Sequence, residues 1–448
     1  SLHDALPISG AGHGKLAING GNFLVGPAAT KWLVVGYWDS GASELDITNG
    51  GLFLENSSSI KLVRGNNNTG ANVVNQAGGA VTFYSDAGAT IGGGGNLDLN
   101  YAGGAGSSGT YNLNGGTLTV PQIIASSSAG NSTFNFNGGT LKPAASSATF
   151  MQGLTSVNLR NNGAQIDTAG FNVTIGQALL HSALAGDSAT DGGLTKNGIG
   201  TLTLSGVNTY TGPTTINAGT LALSGGGSIA GSLIISIGGG ATLSAVNGLI
   251  LGSTQTLAGD GIVLGNLTVN GRLAPGSGIG VLTCNNNVTL QPGSTMVMEL
   301  NSSLGTNDQL RVGGALAYAG TLHLTNLSGN LVGGETFKLF NAASSSGNFS
   351  AISGSPGAGL DWKFDPTLGI LSVFSTVPAQ LLFSVVNNNL NISWPADHRG
   401  WTLQVQTNAL NAGLGTNWVS IPRSVGETQF TAPLDAGNSS VFYRLIYQ

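Results

Sequence analysis

Charge is what this sequence has least of. Acidic and basic side chains together make up 7% of its 448 residues, against about a quarter in an ordinary globular chain. With 40% hydrophobic residues, that scarcity excludes disorder, which pairs low hydrophobicity with high charge. The formal net charge of −5 offers no basic patch, which argues against nucleic acid and anionic membrane surfaces as partners. Cysteine occurs once, at Cys284, so neither an internal disulfide nor a thiolate metal site can be built, and the residue reads as a small buried side chain. No run of 18 apolar residues is long enough to cross a bilayer as a helix. Helical periodicity is nearly missing. Its best instance, residues 177–184 (QALLHSAL), reads as a short turn or loop over one face, and His181 within it as a surface or packed residue rather than a ligand.

What is abundant is glycine, with 74 residues that follow no three-residue period and so exclude collagen. Together with Asn, Ser, Thr and aliphatic side chains they predict many short strands joined by turns that need positive φ. An Asn-Gly-Gly unit flanked by alternating apolar residues recurs at Asn19, Asn49, Asn114 and Asn137, with a degenerate copy centred on Gly78. The copies lie roughly 23 to 36 residues apart, counted from those positions. Each reads as strand, tight turn, strand. One such unit holds two or three inward aliphatics, each contributing roughly 1.5–3 kcal/mol when buried, too little to offset the ordering of more than twenty residues. Stacking the units makes every strand central and the apolar interior continuous. The predicted fold is therefore all-β: a right-handed parallel β-helix (solenoid) followed by a small C-terminal β-sandwich.

The pattern sharpens over 192–224, which reads GGLTKNGIGTLTLSGVNTYTGPTTINAGTLAL to Leu223. This segment resembles the autotransporter-associated β-strand repeat at Leu194, Lys196, Gly198, Gly200, Leu202, Leu204, Gly206, Asn208, Tyr210, Gly212, Thr214, Ile216, Gly219 and Leu221. The alternation predicts strands over 201–205, 214–217 and 220–223, with Tyr210 packed at a corner over a neighbouring rung. Residues 10–191 are assigned to irregular β-helix rungs with Asn-Gly-Gly turns. Residues 225–375 are assigned to further rungs and a cap, since Phe337, Phe340, Phe349, Trp362, Phe364 and Phe374 concentrate where the stack must be closed. After Pro378 the texture changes, and 379–448, with Trp394, Trp401 and Trp418, read as a fibronectin-III or immunoglobulin-like sandwich. That tail, ending in Phe442-Tyr443-Arg444-Leu445, resembles C-terminal modules of secreted proteins from Verrucomicrobia-like bacteria. Residues 1–8 (SLHDALPI) resemble a conceptual translation of a sequencing adapter. Residues 1–9 are therefore set outside the fold, and the chain is expected to be an N-terminally truncated metagenomic fragment whose export signal is missing.

Chemistry-bearing residues are sparse. Asp46 and Asp98 sit between apolar neighbours in strands and are expected to face outward into solvent. Asp187 and Asp191 flank a Gly-rich loop, and Asp361 and Asp365 bracket Trp362 and Phe364. None of these pairs forms a recognisable acid–base constellation, so no catalytic, cofactor-binding or metal-binding residue is assigned, and no cofactor. The Asn runs at 66–68, 285–287 and 387–389 offer amide oxygens but lack the charged ligands that a tight Ca²⁺ site needs, and read as turns. The resemblance implies a non-catalytic secreted or cell-surface protein, structural or adhesin-like, whose β-helix is of the pectin-lyase-like type. Its expected location is extracellular or outer membrane-associated, and its expected partners are surface glycans or other cell-surface proteins. Two alternatives are a carbohydrate-active β-helix enzyme, a polysaccharide lyase or glycosidase, and glycan binding by the sandwich through Trp401 or Trp418. For those two tryptophans, burial in the sandwich core is the plainer reading.

Overall fold

The structure, a computed structural model, describes residues 5–8, 13–26, 30–37, 41–65, 68–84, 95–410, 412–434 and 440–447. They form a parallel β-solenoid of about 12 turns, with small antiparallel sheets toward the C-terminus. The chain divides into two units, one of residues 1–274 with 282–288 and one of 275–281 with 289–448.

In the first unit the alternation of each strand turns every second side chain inward, and the rungs stack those side chains into columns. One column runs Leu45, Val74, Tyr111, Phe134, Val157 and Leu179. All six are buried, and the Tyr111 and Phe134 rings stack 5.4 Å apart. A second runs Leu52, Val81, Leu118, Leu141, Ile166, Lys196, Ile216 and Ile237. A third, on the other sheet, runs Val173, Leu202, Leu221, Leu243, Val263 and Cys284, so the lone cysteine takes an aliphatic place.

The Asn-Gly-Gly turns are corners within a rung. The strands Ser108–Leu113 and Thr117–Val120, on either side of one such turn, do not pair with each other. The first stacks between Ala71–Gln76 and Asn131–Phe136, the second between Ala80–Phe83 and Thr140–Pro143. The corners stack as tightly as the strands. A Cβ on Gly116 (φ +68) would lie 2.3 Å from the carbonyl oxygen of Gly79, and one on Gly79 (φ +64) 2.4 Å from that of Gly50. Only glycine fits this column, which explains why the turn recurs.

The segment 192–224 folds as two rungs of four strands, Leu194–Asn197, Thr201–Leu204, Thr214–Ile216 and Thr220–Leu223. Leu194 pairs with Thr214 and Leu202 with Leu221. Tyr210 is buried, its hydroxyl 2.7 Å from Thr214 Oγ1. Within 177–184, read as a turn or loop, Leu179–His181 is instead a strand that pairs with 157–159, while the residues on either side of it are loop. Its Leu179 continues the first inward column, and rung stacking decides the outcome over weak local preference. Ala5–Ile8, placed outside the fold by its sequence, is laid as a parallel strand on Trp32–Val35.

In the second unit Thr295–Asn301, Thr321–Asn326 and Ala351–Ser353 pair in parallel with one another. Tyr318, Phe340, Phe349 and Phe364 close on one another with ring centroids 5.2 to 5.8 Å apart. The C-terminal sandwich has two three-stranded antiparallel sheets. Leu382–Val386, Asn389–Ser393 and Gln429–Pro433 form one, and Val419–Ser420, Thr402–Asn408 and Ser440–Ile446 the other. Ile392, Trp394 and Leu403 are its buried centre. Trp401 donates its indole N–H to the Ser375 carbonyl at 2.7 Å, and His398 Nε2 donates to that of Val377 at 2.6 Å.

Candidate functional site

Three polar constellations stand out in the first unit. The first is a ladder on the outer face. Asp46, Asn75, Asn112, Asn135 and Asn158 occupy one register position on successive rungs. Each amide donates to the oxygen of the rung before it: Asn112 to Asn75 at 2.8 Å, Asn135 to Asn112 at 2.7 Å and Asn158 to Asn135 at 2.8 Å. Asn75 donates to both Glu44 and Asp46 at 2.9 Å, and Lys15 closes the end by pairing with the same two carboxylates. Burial alone would push the Asp46 carboxyl up, but bonds from Lys15 and Asn75 leave it below its ordinary value. The bonds it donates to Asp46 and Glu44 raise the Lys15 ammonium.

The second constellation fixes the entrance to the repeat at 192–224. Asp191 accepts from the backbone N–H of Thr211 (2.8 Å), Gly193 and Gly212 (both 2.9 Å), from the Thr211 hydroxyl (3.1 Å) and from His181 Nδ1 (2.9 Å). Its burial works against ionisation, and these donors outweigh it, so its carboxyl lies below its ordinary value. Beside it Arg160 grips Asp187 with both Nε (2.9 Å) and Nη2 (3.0 Å), while Ser182 adds its hydroxyl. Arg160 is the main reason that Asp187 is also lowered.

The third is Lys196. It replaces an aliphatic in the second inward column and is wholly buried. Its ammonium donates to the carbonyls of Asn197 (2.9 Å), Gly198 (2.7 Å) and Ala218 (3.0 Å) and to the Thr168 hydroxyl (3.0 Å). Burial pushes it down to about 8, partly opposed by Asp167. Sequence reasoning places Lys196 only in the repeat pattern. A signal of its burial is nevertheless there, since in Leu194-Thr195-Lys196-Asn197 the lysine shares the inward parity of Leu194.

The other singled-out residues are dispersed. Asp98 corrects its expectation: it is buried, because Ser126 of a later rung covers it with its backbone N–H (3.1 Å) and hydroxyl. Asp361 accepts from the Tyr447 hydroxyl at 2.7 Å, whereas Asp365 caps the turn at Thr367 and Leu368. Cys284 is buried, its thiol pushed up to about 12. Trp401 is buried against the Ser375 carbonyl, so it offers no ring to a glycan, and Trp418 carries the Arg444 guanidinium 4.2 Å over its ring. Asn387 and Asn388 form a turn at positive φ, while Asn66 and Asn67 lie outside the described residues. One further cluster leaves no sign in the sequence, because its members come from different rungs. Lys61 Nζ sits 4.0 Å from the Trp32 ring centroid and 3.4 Å from that of Tyr101.

These groups share a chemical character. Asp46, Asp167, Asp187 and Asp191 all lie below the usual carboxylate value, so each is an ionised acceptor at neutral pH, unsuited to acting as a general acid. Among the described residues no cluster of three metal-ligating side chains occurs.

Comparison with known proteins gives two matches. Residues 194–223 match the family model of the passenger-associated-transport-repeat. Over 140 residues, 31% of its length, the chain is 32% identical to an extracellular serine protease of Serratia marcescens, of which that stretch covers 12%. The chain carries an autotransporter-associated repeat on a β-solenoid, and is a secreted or surface β-helix protein.

Proposed function

We propose that the chain is a non-catalytic passenger, a structural or adhesive scaffold whose task is to hold out a long, regular β-surface. The observation that carries this reading is how the strongest polar constellations are used. Asp191 commits both oxygens to five donors that hold a corner, Asp187 is gripped by Arg160, and Lys196 is closed inside the stack. A catalytic carboxylate needs a free lone pair or an exchangeable proton pointed at substrate, and these groups offer neither. The outer ladder from Lys15 to Asn158 instead repeats an amide every 4.7–4.9 Å or so along the stack. Such a ladder suits surface glycans, whose hydroxyls both donate and accept, and we propose these as the partner class.

The extracellular serine protease is aligned with this chain over 12% of its own length, so the likeness by itself assigns no protease activity here. The test is a panel of acidic and neutral polysaccharides and peptide substrates, assayed for reducing ends, unsaturated products absorbing near 235 nm and new amines. The expected result is no turnover together with retention on at least one immobilised glycan. Turnover that disappears when a single Asp or Ser is replaced would overturn the proposal.

A further inference from the structure

Ile392, Trp394 and Leu403 are the buried centre of the C-terminal sandwich. Beside it the sheets leave a cleft of about 860 Å³, lined by Phe383, Leu390, Ile392, Val405, Val441 and Tyr443 among others, with no charged side chain among its lining residues. Phe383 and Val385 share the face of buried Ile392 through the registers Phe383↔Ile392 and Val385↔Leu390. They are nevertheless 77% and 58% exposed, and Leu382 and Val386, on the opposite face, are 65% and 53% exposed. All four belong to Leu382–Val386, which pairs on one side with Asn389–Ser393 and has no partner on its other side among the described strands. Natural edge strands are normally guarded by charge, proline or a bulge. This one, LFSVV, carries none.

The register decides which backbone groups that edge presents. The hairpin turns through two residues, Asn387 (φ +49) and Asn388 (φ +61), and closes on the pair Val386↔Asn389. In a two-residue hairpin of this type the closing pair exchanges both hydrogen bonds. Pairs alternate along an antiparallel ladder, so Ser384↔Asn391 and Leu382↔Ser393 are also bonded pairs. The N–H and C=O of Phe383 and Val385 therefore point to the open edge. Two donor–acceptor couples with one residue between them form a self-complementary edge. Turned over about Ser384, the strand meets a copy of itself with Phe383 bonded to Val385 and Val385 to Phe383. Leu382 then faces Val386 on the opposite side.

We infer that Leu382–Val386 is an interface between two copies of this chain, paired antiparallel about a two-fold axis through Ser384. Pairing joins the two three-stranded sheets into one of six strands, satisfies the four edge couples, and covers the exposed Phe383 and Val385 of each copy with those of the other. An interface of this size is at the small end of specific contacts, so association depends on concentration.

The geometry sets a sharp test. In the two-fold register the Ser384 residues face each other as a pair without mutual hydrogen bonds, with Cα atoms about 4.5 Å apart, inside the range that a disulfide spans. The one native cysteine, Cys284, is buried and does not compete. The full chain with Ser384→Cys should form a disulfide-linked dimer in air. The variants Leu382→Cys and Val386→Cys, whose like residues lie two positions off the axis, should link at least tenfold more slowly. Adding Val385→Lys to Ser384→Cys should cut linkage at least tenfold while the circular dichroism of the chain is unchanged, since the side chain is exposed. Light scattering on the unmodified chain should show a mass that rises toward the dimer with concentration. A chain that stays monomeric across that range, or links as fast through Leu382→Cys as through Ser384→Cys, would overturn the inference. So would a monomer whose cleft takes up an apolar probe such as dodecanoate with no change in mass.

Discussion

Lys196 shows what one residue can cost and give inside a stack of aliphatics. An ammonium there loses its water, and three carbonyls and a hydroxyl stand in for it. Burial outweighs that replacement and brings the group from 10.5 down to about 8. The sign of the pH effect follows. Between about pH 8 and 10.5 the unfolded chain holds a proton that the folded chain has released, so this residue makes folding more favourable as pH rises through that window. Below pH 8 both states are protonated and the buried charge is at its most costly. Chemical denaturation at pH 8 and pH 10 should show a smaller loss of stability for the wild type than for Lys196→Met, which lacks this contribution. At pH 7 the methionine variant should still be less stable by about 1–3 kcal/mol, because the Gly198 and Ala218 carbonyls lose their donor in a dry interior. Cys284 is predicted to be silent. With its thiol pushed up to about 12, the folded protein should not react with a disulfide reagent at pH 8, and one thiol should appear on unfolding.

At the scale of the element, the corner glycines separate two costs that a sequence cannot distinguish. Gly116 and Gly240 both have positive φ, +68 and +79. A Cβ on Gly116 would strike the Gly79 carbonyl oxygen at 2.3 Å, whereas one on Gly240 would meet nothing within 4 Å. Gly240→Ala should therefore cost only the left-handed backbone penalty, about 1–2 kcal/mol. Gly116→Ala must also push neighbouring rungs apart, and should cost at least 1–3 kcal/mol more. Equal midpoints for the two variants in thermal or denaturant unfolding would refute stacked corners as the reason for the recurrent turn. The same contrast explains what was legible in the sequence. Alternation and the Asn-Gly-Gly period repeat locally, and they yielded the solenoid and the strands of the repeat. The strand Leu179–His181 was missed, because its only warrant is the column it continues on the rungs before it. Asp98 has the outward parity its neighbours imply, yet Ser126 covers it from 28 residues away, and no local pattern records that. The free edge at Leu382–Val386 was hidden for the same reason, since its strand reads like any other until its neighbours are known.

Across the whole molecule, scarce charge is concentrated in structural joints, and that predicts how the fold fails in acid. Asp46, Asp167, Asp187 and Asp191 each sit below 3.8 in the folded chain despite the burial that opposes them: Asp46 is drawn down by Lys15, Asp167 by the Ala169 backbone N–H and then Lys142, Asp187 by Arg160, and Asp191 by the donors around the 192–224 repeat. A carboxylate of this kind adds stability that is fully present above its unfolded value and is lost as pH falls through the folded one. Stability should thus be flat from neutral pH to about 5, and fall below the reference value near 4 as these joints protonate. Each rung contacts only its neighbours, so a joint that lets go weakens the stack locally rather than everywhere at once. The first loss should then fall where the carboxylate joints cluster, around residues 160–212, and amide hydrogen exchange at pH 3 should show protection lost there before it is lost over 234–251, where every buried side chain is apolar. Asp191→Asn, which keeps the shape but gives up the charge, should already be destabilised at pH 7 and show a shallower further loss on acidification. If the variant and the wild type lose stability in parallel between pH 5 and 2, the Asp191 corner is not one of the joints that acid opens.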